Sequence, residues 1–476
     1  MLFNSLHFLV FFIVITTIYF LLPHKHRWKL LLLGSCYFYM TFVPVYILIL
    51  GFTIIVDYFA GILIENAEGR KRKFYLILSL IANVGVLALF KYYNFLNDNL
   101  SLLLGNFHYQ NPVPYLSILL PIGLSFHTFQ AMSYTIEVYR GNQKPEKHFG
   151  LYALYVMFYP QLVAGPIERP QNILHQFREK HRFNYEDVTA GLKQMLWGFF
   201  KKVVVADRLS IFVDAIYNNP EKHSGISLTV ATIFFAIQIY CDFSGYSDIA
   251  LGTARVMGYK LMVNFRRPYL AKSIKEFWSR WHISLSTWFR DYLYIPLGGN
   301  RVSAPKWYLN IFIVFIVSGL WHGASWTFII WGALHGLYQI IGLLKDKLAS
   351  KLPILMKLNL GAVSSIYHIG TTFILTSFAW IFFRANSMND AVTVIRGIFT
   401  WKSGGLFIGS VSTMFYAMVG IAVLFIAETG KEYLPKNFSL LDNNHKFIRH
   451  TTYACLLILI LLIGVFNSSQ FIYFQF

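Results

Sequence analysis

Two histidines in this sequence stand where an ionisable side chain is least expected. His322 occurs in SGLWHGASW (residues 318–326), between two tryptophans and inside a long apolar run that small residues interrupt. A histidine exchanges a proton near neutral pH, which suits a general base. Because a polar side chain at membrane depth is costly, such a residue is a functional candidate. The other interpretation is a structural histidine that a backbone carbonyl satisfies at a helix break.

His282 lies in AKSIKEFWSRWHISLSTWFRDYLY, residues 271–294, which at helical spacing predicts one amphipathic helix. One face would hold Phe277, Trp281, Leu285, Trp288 and Tyr292, and the other Lys275, Ser279, His282, Ser286 and Arg290. One interpretation is a helix in the membrane interface, with its basic residues on phosphates. The other is that the polar face lines a cavity for a phosphate-bearing donor. The donor-binding candidates are then Arg290, Ser286, Trp288 and Lys275.

A third polar patch, IYCDFSGYSDIA (residues 239–250), lies near the end of an apolar run and carries two carboxylates. An ionisable residue at membrane depth is expected to have a charged partner. We expect Asp242 to pair with a basic residue of segment 253–306. We interpret Asp242 and Ser244 as parts of a supporting hydrogen-bonded network rather than as catalytic groups.

The last segment with unusual composition is FIYFQF, residues 471–476, within a tail that comprises residues 467–476. Aromatic residues often anchor a chain at the membrane interface, and that is one interpretation. The alternative is that the tail inserts into the protein and presents the Tyr473 hydroxyl.

The elements that must position these residues are membrane helices. Of the 476 residues, 56% are hydrophobic and only 13% are charged, which excludes a disordered chain and argues against a soluble multidomain enzyme. Each apolar run of about 20 residues can cross a bilayer as a helix. The first run, Leu6 to Leu22, has no basic region before it and no small-residue cleavage site after it, so we expect a retained span rather than a signal peptide. Further runs cover residues 30–48, 49–64, 74–95, 116–137, 190–215, 226–252, 308–343, 361–384, 411–429 and 450–466.

The net charge of +19 is explained by topology rather than by nucleic-acid binding. Basic residues cluster in the loops, and segment 253–306 alone holds ten basic and two acidic residues. Placing the basic loops in the cytoplasm puts the N-terminus and the tail outside the membrane. We expect one membrane-embedded domain over residues 1–476, with its catalytic stretch at about 239–336.

Two runs do not fit simple spans. Residues 308–343 are too long for one helix and have basic flanks on both sides, so we expect a re-entrant hairpin with its bend at 318–326. Residues 151–170 are apolar but broken by prolines and a glycine, so we expect a second re-entrant segment there. The three cysteines, Cys36, Cys241 and Cys455, are far apart in the sequence, which predicts buried apolar residues and no metal site.

Four motifs together resemble the membrane-bound O-acyltransferase superfamily, and more narrowly its bacterial branch of alginate O-acetyltransferase membrane subunits. They are YPQLVAGPIERP (159–170), IYCDFSGYSDIA (239–250), FWSRWHISLSTWFRDYLYIPLGGNR (277–301) and GLWHGASWTFIIWGALHG (319–336). The resemblance implies about 11–13 helices around a central funnel. It also implies O-acyl transfer, with His322 as the catalytic histidine, His282 as its companion and Tyr473 as a possible acyl relay.

The resemblance further implies an acyl thioester donor, most simply acetyl-CoA, and no bound cofactor. It implies a place in the bacterial cytoplasmic (inner) membrane, an extracytoplasmic esterase-like partner and a polysaccharide acceptor. Two alternatives stay open at this point. One is a lipid O-acyltransferase of the same superfamily, and the other is a transporter without chemistry, against which the absence of an internal repeat counts.

Overall fold

The computed structural model describes residues 1–117, 120–351, 361–435, 441–466 and 471–472. Every regular element in these ranges is helical, which confirms the all-α prediction. The α-helices are α1 (Leu6–Leu21), α2 (His24–Met40), α3 (Ile47–Asn66), α4 (Gly69–Leu87), α5 (Tyr93–Gly105), α6 (Leu124–Arg140), α7 (Phe149–Met157), α8 (Pro170–Ile173), α9 (Tyr185–Phe199), α10 (Asp207–Tyr217), α11 (Gly225–Val256), α12 (Ile274–Arg280), α13 (Ile283–Phe289), α14 (Ala304–His322), α15 (Trp326–Lys351), α16 (Ala362–Arg384), α17 (Met388–Phe399), α18 (Val411–Tyr433) and α19 (Lys446–Ile463). Segments Ala88–Tyr92, Phe200–Ala206 and Arg290–Tyr294 are π-helical.

Within the described residues, eight helical stretches are long and apolar enough to cross a membrane. They are Pro44–Asn66, Gly69–Gly105, Gly225–Val256, Ala304–His322, Trp326–Ala349, Val363–Arg384, Val411–Tyr433 and Lys446–Ile463. Helix α1 is equally apolar but has only 16 residues. These membrane helices carry many large apolar side chains that are exposed, as expected for surfaces that face lipid. The chain is therefore a multi-pass membrane protein.

The backbone separates into two compact units, and the prediction of one domain over residues 1–476 stays a prediction. The first unit holds residues 1–195 and 248–262. Inside it, α3, α4 and α6 share a buried polar contact in which the Asp57 carboxylate accepts hydrogen bonds from Ser79 Oγ at 2.5 Å and Asn83 Nδ2 at 2.8 Å. Such bonds between helices stabilise membrane bundles where water is excluded.

The broken run at residues 151–170 also lies in the first unit. Helix α7 ends at Met157, and the chain then continues through a buried irregular segment to α8 at Pro170. Glu168 in this segment accepts a hydrogen bond from the backbone N–H of Met262. Burial raises the pKa of Glu168 to about 7. The irregular backbone is thus packed inside protein, as expected for non-helical chain at this depth.

The second unit, residues 196–247 and 263–476, carries the motifs of the candidate site. Its core is rich in fully buried aromatic residues, among them Trp281, Trp331 and Trp380. Helices α14 and α15 pack closely along their length, because glycines face each other at the contact. A Cβ added at Gly319 would lie 2.3 Å from the Phe328 carbonyl oxygen, and one added at Gly332 would lie 2.3 Å from that of Phe315.

The bend expected in residues 308–343 is confirmed. Helix α14 ends at His322 and α15 begins at Trp326, so the turn lies at residues 323–325. Each arm of this hairpin is long and apolar enough to cross a membrane. If α14 and α15 both cross the membrane, the two basic flanks lie on the same side of it. The basic flanks therefore do not require a re-entrant loop.

The cysteine prediction holds only in part. Cys241 is buried, but Cys36 is half-buried and Cys455 is exposed on α19. Cys455 belongs to an apolar helix with several exposed leucines, which places its thiol on a surface suited to lipid rather than in a core.

Candidate active site

The single amphipathic helix predicted for residues 271–294 is wrong. Helix α12 ends at Arg280, α13 begins at Ile283, and a π-helical segment follows from Arg290. The break lies at His282, whose backbone is left-handed with φ 43° and ψ 53°. A residue with a Cβ in this conformation costs about 1–2 kcal/mol and ends a right-handed helix. His282 therefore does not share a polar face with Lys275, and its side chain is fully buried.

Asn264 determines the orientation and tautomer of His282. The Asn264 side-chain oxygen accepts the backbone N–H of Ser284 at 3.2 Å, so this oxygen acts as an acceptor. His282 Nδ1 lies 3.2 Å from the same oxygen and must therefore carry the proton. The lone pair of the neutral imidazole is then on Nε2. Sequence reasoning missed Asn264, which lies 18 residues before His282 in a segment without a recognisable motif.

The burial of His282 predicts a pH-dependent stability. Burial lowers the pKa of His282 from 6.5 to about 3 in the folded protein. The unfolded chain therefore binds a proton first, and stability that is complete above pH 6.5 is lost as the pH falls below it. His282→Asn keeps a donor for Asn264, tolerates the left-handed backbone and removes the titration. Between pH 7.5 and 5.5 we expect the wild type to lose about 1 kcal/mol more than this variant.

Unfolding of the detergent-purified proteins, followed by tryptophan fluorescence at the two pH values, measures this difference. Equal losses in the wild type and in His282→Asn would contradict the buried neutral imidazole.

His322 lies at the end of α14, at the break between the two arms of the hairpin. Its ring is buried among aromatic rings, with centroid distances of 4.8 Å to Trp321, 4.9 Å to Trp331 and 5.3 Å to Phe383. Trp321 also lies 6.1 Å from the ring of His282. The structure thus brings both predicted histidines into contact with the indole ring of Trp321, although 40 residues separate them in the sequence.

A cavity of about 400 Å³ opens within the second unit, a volume typical of ligand pockets. Three of the four donor-binding candidates line it, namely Lys275, Ser286 and Arg290. Ser318 of α14 also lines it and stands one helical turn before His322 on the same face. Neither His322 nor His282 is among the residues that line this cavity, and Ser318 is the lining residue of α14 that comes nearest to His322 in the sequence.

The fourth candidate, Trp288, is not among the residues that line this cavity. Its indole is buried and packs 5.1 Å from the ring of Tyr292. Arg290 is exposed and lies 2.8 Å from the Asp291 carboxylate, on the π-helical segment that follows α13. Trp288 and Arg290 therefore lie on different surfaces, as their assignment to opposite helix faces from the sequence predicts.

The polar network around residues 239–250 exists, but its basic partners differ from the prediction. Asp242 is paired with Lys202 at 2.7 Å and not with a residue of segment 253–306. Lys202 is also 2.8 Å from Asp207, and Lys201 donates to Ser244 Oγ at 2.9 Å. Both lysines lie in the π-helical segment Phe200–Ala206, which turns them toward α11. Their signal in the sequence was a pair of charges inside the apolar run 190–215.

The tail inserts into the protein at the residues that the structure describes. Phe471 and Ile472 are buried, and the backbone N–H of Ile472 donates to the Asp242 carboxylate at 2.8 Å. Phe471 packs 5.6 Å from Phe243 and 4.7 Å from Tyr246. These contacts favour insertion over an interfacial anchor. The acyl relay assigned to Tyr473 lies outside the described residues and stays a prediction.

The family model described as "MBOAT, membrane-bound O-acyltransferase family" matches residues 147–384, which include both histidines and the cavity. The chain belongs to the membrane-bound O-acyltransferase family. MBOAT relatives agree along nearly the full length. A protein of Helicobacter pylori named "Peptidoglycan O-acetyltransferase" is 34% identical over 94% of this chain and 91% of its own. "Probable alginate O-acetylase AlgI" of Pseudomonas aeruginosa is 37% identical over 90% of this chain and 81% of its own.

A more distant MBOAT relative, "Teichoic acid D-alanyltransferase" of Bacillus subtilis, is 28% identical over 45% of this chain and 57% of its own length. The comparisons confirm the resemblance that the four sequence motifs carry. They make this chain a membrane O-acyltransferase of the bacterial O-acetyltransferase branch, and they remove the support for a transporter without chemistry.

Proposed function

We propose that this MBOAT protein moves acetyl groups from a cytoplasmic thioester across the membrane for O-acetylation of a cell-envelope polysaccharide or exopolysaccharide. One observation carries the proposal: Lys275, Ser286 and Arg290 share a cavity with Ser318, which is one turn from His322. Basic and hydroxyl groups thus line a cavity that begins one helical turn from a candidate general base. The names of the relatives, which specify alginate and peptidoglycan, support a polysaccharide acceptor.

The donor in this proposal is acetyl-CoA, whose phosphates carry several negative charges. Segment 253–306 has ten basic and two acidic residues, and it supplies Lys275 and Arg290 to the cavity. A positive field over a recessed site raises the local concentration of an anionic substrate and speeds its association. The donor therefore enters from the side where this segment lies, which we place in the cytoplasm, with the N-terminus and the tail outside the bacterial cytoplasmic membrane.

His322 acts as the general base in the proposed reaction. It takes the proton of the attacking hydroxyl while the hydroxyl oxygen bonds to the thioester carbonyl carbon. Collapse of the tetrahedral intermediate breaks the carbon–sulfur bond, and the proton passes from His322 to the leaving thiolate. The new bond is an oxygen ester and the other product is free CoA. The aromatic rings around His322 exclude water, which favours transfer over hydrolysis.

His282 has a supporting role in this scheme. With its proton on Nδ1, its Nε2 accepts a hydrogen bond and cannot donate one to a negatively charged oxygen. The oxyanion that forms on the carbonyl carbon is therefore stabilised by other donors. The N–H of Gly323 already donates to the carbonyl oxygen of Gly319 at 3.2 Å. The candidate donors are therefore the next backbone N–H groups of the turn, at residues 324–325.

The attacking hydroxyl belongs either to the polymer or to Tyr473 as a relay. In the relay, the tyrosyl ester forms first, and an extracytoplasmic esterase-like partner then transfers the acetyl group to polysaccharide. Insertion of residues 471–472 beside Asp242 supports the relay, because it shows that this segment enters the second unit.

A transport assay tests the proposed donor and direction. The protein is reconstituted in proteoliposomes with radiolabelled acetyl-CoA on one side and a soluble oligosaccharide with the partner on the other. We expect alkali-labile acetyl ester to appear on the acceptor side. A long-chain acyl-CoA supplied in the same way should give no product. Acylation of membrane lipid instead of the acceptor would overturn the proposal in favour of a lipid O-acyltransferase.

The donor site is tested separately by the double variant Lys275→Ala/Arg290→Ala. Loss of two cationic groups that line the cavity should raise the KM for acetyl-CoA at least about tenfold, because a hydrogen bond to a charged group is worth about 1.5–3 kcal/mol. The kcat should change little. Lys272→Ala is the matched control, since Lys272 is an exposed lysine of the same segment and does not line the cavity. An unchanged KM in the double variant would place the donor elsewhere.

A further inference from the structure

The segment after α19 is tied to the second unit at three backbone groups. The carbonyl oxygen of Ile463 accepts a hydrogen bond from Arg208. The N–H of Val465 donates to the carbonyl oxygen of Val203 at 2.9 Å, and the N–H of Ile472 donates to Asp242 at 2.8 Å. These bonds use backbone atoms of Ile463 at the end of α19 and of Val465 and Ile472 after it, so they do not depend on the side chains at these positions.

The Val203 acceptor depends on the π-helical segment. Residues Phe200–Ala206 are wound with a wider turn than an α-helix, and Val203 lies at its centre. A π-helical turn shifts the hydrogen-bond pattern by one residue and leaves carbonyl groups available at functional sites. Here the Val203 carbonyl oxygen receives the N–H of Val465 instead. The same wide turn directs Lys202 toward Asp242.

The two carboxylate oxygens of Asp242 bind different partners, a lysine and the backbone of the tail. Oδ1 lies 2.7 Å from Lys202 Nζ, and Oδ2 accepts the N–H of Ile472. Lys202 and Asp242 are both buried, and Lys202 also pairs with Asp207. A buried ion pair costs desolvation and contributes little net stability, so its retention calls for another purpose. In the structure, the pair holds the Asp242 carboxylate where it accepts the backbone N–H of Ile472.

The neighbouring rings place this tail contact beside the histidines. Phe471 packs against Phe243, and the ring of Phe243 lies edge-on to His282 at a centroid distance of 4.6 Å. One aromatic ring thus separates the docked residue from His282. Tyr473, which follows Ile472 directly in the sequence, lies outside the described residues.

We propose that the Lys202–Asp242 pair is a docking site for the chain's own residues 471–472 and that Asp242 is a positioning residue for acyl transfer through Tyr473. The positioning role of Asp242 rests on the proposed function, whereas the docking of residues 471–472 does not, because docking requires no chemical step. The carboxylate fixes the register of the tail, and Phe471 fills the space between Phe243 and Tyr246.

Cysteine labelling tests the docking. Ile472→Cys is introduced together with Cys36→Ser and Cys455→Ser, while the buried Cys241 remains. The detergent-purified protein is treated with a maleimide, and the labelling rate at position 472 reports how often the tail leaves its site. Asp242→Ala should raise this rate at least about tenfold, since loss of a hydrogen bond to a charged group costs about 1.5–3 kcal/mol. Asp242→Asn, which keeps an acceptor oxygen, should raise the rate less.

Asp207→Asn is the matched control, because it neutralises the other carboxylate that pairs with Lys202. Position 472 should stay protected in this variant. Equal protection in Asp242→Ala and in the parent protein would overturn the docking site. Equal exposure in the Asp207→Asn and Asp242→Ala variants would also overturn it, since the lost buried charge would then explain both.

A double-mutant cycle with Tyr473→Phe tests the positioning role, measured as acetyl transfer to the outside acceptor. If Asp242 acts through Tyr473, Asp242→Ala and Tyr473→Phe should lower transfer by similar factors, and the double variant should be no worse than either. Additive losses would overturn the positioning role. If Asp242→Ala, Tyr473→Phe and the double variant all transfer acetyl groups at the parent rate, the relay through Tyr473 is wrong. The labelling experiment alone then decides whether the docking site exists.

Discussion

Replacing His322 with alanine should lower acetyl transfer by at least about a hundredfold, because general-base catalysis by a positioned side chain contributes about 10²–10⁴ in rate. The imidazole lies at the end of α14 and contacts the rings of Trp321, Trp331 and Phe383. None of these three rings can replace it as a general base. The measurement is single-turnover transfer of radiolabelled acetyl from acetyl-CoA to an oligosaccharide acceptor in proteoliposomes.

The control for this loss is His368→Ala, a change of the same type in the membrane helix α16. His368 is half-buried, and its ring contacts that of Tyr367. Phe383 lies 15 residues later on the same helix, about 22 Å along its axis. Both variants should elute as monodisperse protein in detergent, and His368→Ala should transfer at the parent rate. Normal transfer in a folded His322→Ala protein would refute the assignment of the general base.

The second large effect is expected at Gly332, where α15 meets α14. A methyl group added there would lie 2.3 Å from the Phe315 carbonyl oxygen and 3.3 Å from the Gly319 Cα. Both obstacles are backbone atoms, so the clash is relieved only if the helices separate. Overpacking of a close contact costs about 1–3 kcal/mol, and Gly332→Ala should reach or exceed the upper end of this range. Since α14 ends at His322, the same displacement should also reduce acetyl transfer.

Gly342→Ala supplies the comparison on the same helix. No heavy atom lies within 4 Å of a Cβ added at Gly342, so this substitution should keep activity and stabilise the helix by up to about 1 kcal/mol. Apparent melting temperatures of the two variants in detergent, together with acetyl transfer, measure the effect. A Gly332→Ala protein that is as stable and active as Gly342→Ala would contradict the close approach of the two helices.

Composition was sufficient for most of the membrane helices, because water exclusion requires each spanning segment to satisfy its own backbone and to remain apolar. The predicted runs 30–48, 116–137 and 190–215 are not among the eight candidate spans of the described residues. The apolar runs at 361–384 and 411–429 reappear as α16 and α18 with similar bounds. The same reasoning failed at residues 271–294. A regular 3.6-residue spacing assumes a continuous helix, and the left-handed backbone at His282 leaves no signature in residue types.

The polar partners show the same division. Sequence motifs singled out His282, His322 and Asp242, since each is a polar residue in an apolar context. Their partners Asn264 and Lys202 lie 18 and 40 residues away from His282 and Asp242, respectively, and only folding brings them together. Pairing of Asp242 with segment 253–306 was expected from charge density alone, and charge density does not report which lysine a helix turns inward.

The sequence by itself determined that this chain is an all-helical membrane protein, that its positive charge collects in the predicted catalytic stretch, and that its motifs resemble those of an O-acyltransferase family. The first two properties follow from residue types and local spacing, and the third follows from the resemblance of the motifs. Only the tertiary structure decided that Lys275, Ser286 and Arg290 share one cavity while Trp288 does not, and that residues 471–472 dock on Asp242. The reason is physical: left-handed and π-helical backbone redirects side chains, and contacts between distant segments depend on packing that no local pattern encodes.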